Sequence, residues 1–135
     1  MSTKVKKSGI DPNIVLQNPV VSDSLRVDGK SYGPLKPLTF SASIAPDFAA
    51  GNNFGVTLTG NTTLAAPTGG LAGQSGVIVV TQDATGSRTM AFNSYWKFAN
   101  GTVPTLSTAP NSVDVLVYFV ESLTRISVTA LKGMA

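Results

Sequence analysis

Carboxylates are the side chains best suited to chemistry in this sequence, which has seven Asp and Glu residues and neither cysteine nor histidine. The lack of cysteine and histidine excludes disulfides, thiolate nucleophiles, most zinc sites and every Ser-His or Cys-His arrangement. Asp83 and Asp114 are the best candidates for a catalytic pair, because both adjoin predicted core strands. A glycosidase needs two such groups facing each other across a cleft.

The local sequence around these two aspartates favours structural roles. Asp83 begins the run Asp-Ala-Thr-Gly, which is typical of a type I turn capped by its first side chain. Asp114 is a single polar position in an apolar strand, where a hydrogen bond at the strand start, or an ion pair with Arg88 or Arg125, accounts for it. The sequence has no Asp-x-Asp spacing of the kind that calcium-binding loops use, so we expect no calcium site. We therefore predict no enzyme activity, no catalytic residue, no cofactor and no metal.

The stretch from Gly73 to Gly101 predicts the elements that organise the chain. The β-branched run Val77–Thr81 is typical of a buried strand, and the turn at Asp83 is followed by an expected return strand over Arg88–Phe92. An aromatic cluster follows, formed by Tyr95, Trp96 and Phe98. Three roles remain open for it: part of the core, part of an interface, or a platform on which a sugar stacks.

The C-terminal third predicts a hairpin. Val113–Val120 is apolar on both faces apart from its single Asp, which indicates a central strand covered on both sides. Arg125–Leu131 alternates apolar and polar residues, which indicates a half-buried partner strand. Because no segment has helical periodicity, we predict an all-β protein with a single antiparallel β-sandwich, jelly-roll-like, over residues 38–135.

Residues 1–37 predict an extended N-terminal arm, since four prolines interrupt them. Six basic and three acidic side chains fall within residues 1–36 and four of each follow, so the net charge of +3 lies in the first quarter. We expect the arm to dock on an acidic protein surface. The alternatives are an inert solvated tail and nucleic-acid binding. The absence of aromatic residues among the lysines disfavours nucleic-acid binding. The predicted docking residues are Lys4, Lys6, Lys7, Ile14, Val15, Leu16 and Arg26.

Residues 52–133 resemble a β-domain found in virion structural proteins of tailed bacteriophages, often at the C-termini of tail fibres. The resemblance lies in Gly-Gln before the strand, Gln-Asp-x-Thr-Gly-Ser-Arg, Trp-x-Phe, the run Gly-x-x-Pro-Thr-Leu-Ser-Thr, and Asp-Val-Leu with its aromatic continuation. It implies a non-enzymatic virion protein. The short arm in place of a long shaft favours a capsid decoration or cement protein, docked on the major capsid protein or another virion protein, with the β-domain outward.

A tail-fibre or tail-tip component that binds a host surface glycan is the alternative role. The charged fraction is only 13%, and the surface rich in hydroxyl groups favours self-association, with a trimer preferred over a dimer. No apolar run approaches the roughly 20 residues that span a bilayer, so we expect no membrane partner. The predicted location is the virion, at the capsid surface or in the tail.

Overall fold

The computed structural model describes Gln17 and residues 19–135, and it confirms the all-β prediction. The chain divides into two compact units, Met1–Ser31 and Tyr32–Ala135. Every strand of the described residues belongs to the second unit. No helix in this part of the chain is long and apolar enough to cross a membrane.

Nine strands and one short 3-10 helix form the second unit. In chain order they are β1 (Leu35–Pro37), β2 (Ser43–Ile44), β3 (Asn53–Leu58), β4 (Thr62–Leu64), β5 (Ser75–Gln82), β6 (Met90–Phe92), β7 (Trp96–Lys97), the 3-10 helix Ala99–Gly101, β8 (Val113–Ser122) and β9 (Arg125–Leu131). The first of them, β1, falls within the segment that the sequence assigned to the arm.

Two sheets are formed, and their pairing corrects the antiparallel, jelly-roll-like prediction. The larger sheet has the order β1-β3-β5-β8-β9-β7 and the smaller one β2-β4-β6. Pairs β1/β3, β3/β5, β2/β4, β4/β6 and β7/β9 are parallel, whereas only β5/β8 and β8/β9 are antiparallel. Successive strands from β1 to β7 alternate between the sheets, so the crossovers of the four parallel pairs from β1 to β6 run through the opposite sheet and need no helix. The parallel pair β7/β9 is connected through β8 of the same sheet.

The strand predicted over Arg88–Phe92 forms in part, as β6, but it does not return to pair with β5, and the reason is local. The turn itself forms, with the Gly86 amide donating to the Asp83 carbonyl at 3.2 Å. Gly86 and Ser87 then both have positive φ, 71° and 61°, which sends the chain to β6 in the smaller sheet. The buried Gln82 side chain takes the place of a strand partner: its amide donates to the Arg88 carbonyl at 2.8 Å and accepts from the Arg88 amide at 2.9 Å.

The hairpin of β8 and β9 is confirmed, and it closes the larger sheet. Val120 pairs with Ile126 and Tyr118 with Val128, and all four side chains point into the core. The two sheets share one hydrophobic core, which contains Ile44, Leu64 and Met90 from the smaller sheet and Phe54, Val56, Leu58, Ile78, Val80, Leu116, Tyr118, Val120, Ile126 and Val128 from the larger one.

An aromatic stack fills one end of this core. The Phe48 and Tyr118 rings lie 4.6 Å apart and nearly parallel, and Trp96 meets Phe48 edge-on at 6.2 Å. The Tyr118 hydroxyl donates to the Asn52 carbonyl at 2.5 Å. Burial raises the pKa of Tyr118 to about 12. A Cβ at Gly76 would lie 1.9 Å from that carbonyl oxygen, so only glycine lets the two groups meet.

Candidate interaction surface

The outward side of the larger sheet is the most unusual surface of the described residues. Along β8 the burial alternates, with even-numbered positions from Asp114 to Val120 buried and the odd-numbered ones facing outward. These outward residues are Val, Val, Val and Phe, where a solvent-facing strand normally carries polar groups. We call this side of the sheet the open face; its apolar side chains are Leu35, Val77, Val79, Val113, Val115, Val117, Phe119 and Leu131.

Strand register brings the central members of the open face together. Val77 of β5 lies opposite Val117 of β8, and Val79 lies opposite Val115. On the other side of β8, Leu131 also lies opposite Val115. The exposed fractions are 37% for Val117, 48% for Phe119 and 47% for Leu131. These values mark one contiguous apolar patch and not scattered surface residues.

Two shallow depressions lie on the open face. One, of about 510 Å³, is bordered by β1, β3 and β5 and by the segment that contains Phe40. The other, of about 630 Å³, is bordered by β7, β8 and β9, with Phe98 and Phe119 in its lining. Val79 lines the first depression and Val117 lines the second. The face is therefore not flat but carries two grooves.

Charge is confined to one end of the open face. Lys97, Glu121 and Arg125 lie there, and Arg125 pairs with Glu121 through an ion pair four residues apart along the chain. From residue 37 onward the chain carries four basic and four acidic side chains, so its second unit has almost no net charge to repel another copy. The centre of the face carries only apolar, hydroxyl, amide and glycine positions.

The aromatic cluster predicted from the sequence lies largely inward. Trp96 is 4% exposed and its indole N–H donates to the Ala65 carbonyl at 3.0 Å, which leaves no free ring face for a sugar. Tyr95 and Phe98 are partly buried and pack against the core. The Phe98 ring meets Phe92 edge-on at 4.8 Å. Of the three, Phe98 alone borders one of the depressions described above.

Asp83 is a turn-capping residue, as its sequence context indicates. Its carboxylate accepts hydrogen bonds from the amides of Thr85 at 3.1 Å and Gly86 at 2.9 Å. The Arg88 guanidinium lies 3.0 Å from the same carboxylate. The hydrogen bond from Arg88, with help from the two turn amides, holds the pKa of Asp83 below its usual 3.8.

Asp114 is buried, with 2% of its surface exposed, and it also serves the backbone. It accepts from the amide of Ser107 at 2.6 Å and from the amide of Gly133 at 2.8 Å. The carboxylate therefore fastens both the crossing segment before β8 and the C-terminal tail to the sheet. Arg88 and Arg125, the partners considered from the sequence, pair with other carboxylates. In the described part of the chain, no three potential metal ligands come together.

Most of the predicted docking residues fall outside the part of the chain that the structure describes: Lys4, Lys6, Lys7, Ile14, Val15 and Leu16. Arg26 is described. Its side chain is almost fully exposed and forms an ion pair with Asp28, also exposed. An exposed pair of this kind contributes little to folding, so Arg26 is available to a partner.

One family model matches the chain over residues 44–121, from the end of β2 to the end of β8. Its description is "Putative phage tail fibre C-terminal domain". The match covers more than half of the sequence. The chain belongs to this phage tail fibre domain family. No curated protein matches the chain, and no solved structure matches it.

Membership of the tail fibre domain family makes the protein a phage virion structural protein, and it confirms the resemblance seen in residues 52–133. The matched region contains most of the core, the Asp83 turn and most of the open face. Sequence reasoning missed the open face itself. Its signal is present in the double-sided apolar pattern of Val113–Val120, which predicts a strand covered on both sides without saying what covers it.

Proposed function

We propose that this chain is a non-enzymatic component of a phage tail fibre, to which it contributes a rigid all-β domain. The observation that carries the proposal is the family match over residues 44–121, which spans both sheets. The geometry supports a structural role, because the two aspartates considered for catalysis are both engaged by backbone amides. Each of them stabilises a turn or a chain crossing.

Recognition of a host glycan belongs to this proposal, but the Trp96 cluster does not supply it. A sugar ring stacks on an exposed aromatic face, and Trp96 presents none. Exposed aromatic rings of the second unit are Tyr32, at 84%, and Phe119. Glycan binding measured with Tyr32→Ala and with Phe119→Ala, beside Tyr95→Ala as the matched tyrosine control, tests which ring is used.

Capsid decoration is the second candidate, and one observation favours it. Met1–Ser31 form a unit of their own, and most of the chain's excess positive charge lies in that segment. Such an arm suits an acidic neighbouring surface on a capsid. Decoration predicts hundreds of copies in each particle, whereas a tail fibre predicts few.

Copy number in purified virions tests the proposal. Quantitative mass spectrometry, with the major capsid protein as the internal standard, gives the number of chains in each particle. We expect a few copies, which remain with tails when heads and tails are separated. Hundreds of copies that sediment with heads refute the tail-fibre assignment and establish decoration.

A further inference from the structure

We propose that a small pocket beside the start of β6 binds a carboxylate-bearing sugar unit of a host surface polysaccharide. The pocket has a volume of about 250 Å³ and lies between residues 88–90 and the segment 103–108, which crosses toward β8. The proposal rests on the glycan recognition put forward above, to which it adds a place in the fold and the chemical class of the ligand. Neither the two depressions of the open face nor an aromatic ring contributes to this pocket.

The pocket combines buried apolar side chains with exposed hydroxyl groups. Met90 and Leu106 line it and are 7% and 6% exposed, so they form its floor. Exposed threonines contribute the hydroxyls: Thr89, Thr105 and Thr108. Within the described residues these threonines use their backbone groups in hydrogen bonds, and their hydroxyls remain available to a ligand. Sites for drug-sized ligands have volumes of roughly 300–1,000 Å³, so this pocket suits a single sugar unit.

Arg88 gives the pocket a positive charge, and among the described residues no carboxylate lines it. The Nη2 and Nε atoms of Arg88 donate to Asp83 at 3.0 and 3.4 Å, and Asp83 lies outside the lining. A guanidinium has five N–H donors, so three of them remain for a ligand. Because the ion pair with Asp83 holds the guanidinium in place, a second carboxylate meets a partner that is already oriented.

Lys132 adds a second positive charge at the edge of the pocket. Its Nζ atom donates to the Thr105 carbonyl at 2.8 Å. The ion pairs found in the described part of the chain do not include Lys132. Two cations with three hydroxyls favour an acidic sugar over a neutral one, because a carboxylate accepts from a guanidinium more strongly than a hydroxyl group does.

The pocket lies at the end of the second unit that is opposite to the start of its first strand. Leu35 begins β1 and pairs with Asn53, which in turn pairs with Val77 near the start of β5. Asp83 directly follows the other end of β5, and Arg88 contacts it there. A fibre that holds this domain through the segment before β1 therefore presents the pocket at its free end, where it meets the host surface.

An NMR titration of the isotope-labelled full-length chain gives the first test. The probes are the methyl glycosides of glucuronic, galacturonic and sialic acid, each beside its carboxyl-reduced counterpart. We expect at least one acid to bind ~10-fold more tightly than its counterpart, since a hydrogen bond to a charged group contributes about that factor. The amide signals of Thr89, Thr105 and Thr108 should shift on binding. The absence of acid-selective binding, or shifts confined to other residues, overturns the proposal.

A pair of arginine variants gives the second test. Arg88→Gln should lower the preference for the acid at least ~5-fold, because it removes the guanidinium from the pocket. Arg125→Gln is the matched control, since Arg125 is the other arginine of the second unit and pairs with Glu121 away from this pocket. An unchanged preference in Arg88→Gln, or an equal loss in both variants, contradicts the assignment.

Failure of this proposal is distinguishable from failure of the tail-fibre proposal. The titration uses the isolated chain, whereas copy number in virions decides where the protein lies. A protein that stays with tails but binds no acid through this pocket refutes the pocket alone. Binding that Tyr32→Ala or Phe119→Ala removes, and that Arg88→Gln retains, assigns the sugar to an aromatic ring and also overturns the proposal.

Discussion

Removing the Asp114 carboxylate should destabilise the fold more than removing any exposed aspartate. Asp114→Ala leaves the amides of Ser107 and Gly133 without their acceptor. An unsatisfied buried amide costs about 1–3 kcal/mol. Ser107 is half-buried and bears most of this cost, whereas Gly133 is exposed and can turn to water. The lost carboxylate also removes its own desolvation cost, so we expect the net loss to stay within about 1–3 kcal/mol.

The assay is chemical denaturation of the full chain, supported by thermal melting. With ~2.1 cal/mol/K of unfolding entropy per residue, a loss of about 1–3 kcal/mol lowers Tm by about 4–11 °C in a chain of this size. Asp47→Ala is the matched control, because Asp47 is exposed and accepts one turn amide, from Ala49, at 3.0 Å. That control should lose about 0.5 kcal/mol, within the range of surface substitutions. A loss below ~0.5 kcal/mol for Asp114→Ala refutes the reasoning.

Three further predictions follow from single contacts. Gly76→Ala should lower the free energy of unfolding by at least ~3 kcal/mol or prevent folding, because the added Cβ meets the Asn52 carbonyl. Gly29→Ala is the control: it has open space around it and should change stability by less than ~0.5 kcal/mol in the same denaturation assay. Arg88→Gln should return the pKa of Asp83 toward 3.8 in a carboxyl NMR titration, and an unchanged pKa contradicts the assigned cause. A depressed carboxyl pKa stabilises the fold above about pH 4, and this stability is lost as pH falls through the folded pKa. The variant should therefore lose less folding stability in acid than the parent chain does. Tyr118 should ionise near pH 12 in an ultraviolet titration, and an ordinary tyrosine titration contradicts the burial of this ring. Its raised pKa stabilises the fold below about pH 10, and this stability is lost as pH rises through 12. Tyr118→Phe should therefore remove both the absorbance step near pH 12 and the alkaline dependence of stability.

The parts of the fold that the sequence predicted are those set by local pattern. The β8–β9 hairpin was predictable because Arg125–Ala130 alternates polar and apolar residues and Val113–Val120 is almost wholly apolar. The turn at Asp83 was predictable because its first and fourth residues have specific backbone roles. Both features depend on residues that are close together in the chain.

Strand pairing was not predictable from the same patterns, because an alternating strand fits a parallel neighbour as well as an antiparallel one. The deciding feature at the Asp83 turn is Ser87, which has positive φ although it is not glycine. The second is Gln82, a buried amide that pairs with the backbone of Arg88 in place of a strand. Both depend on contacts with the crossing segment: Gln82 contacts Ser107, 25 residues further along, and Ser87 contacts Thr108, 21 residues further along.

The open face was half predictable. Apolar residues on both sides of β8 indicated that something covers each side, and the core does cover one of them. The sequence of one chain cannot distinguish cover by its own elements from cover by another copy, because both need the same apolar pattern. Only the strand order, with the smaller sheet on one side alone, shows that residues 32–135 by themselves leave the second side open.

Gold-labelled electron microscopy of intact virions tests the central claim most directly, with antibody raised against residues 32–135 as the probe. We expect gold particles on the tail fibres and none over the heads, with a particle lacking the gene as the control. Dense labelling over the capsid surface, with bare tails, contradicts the account and makes the protein a decoration of the shell.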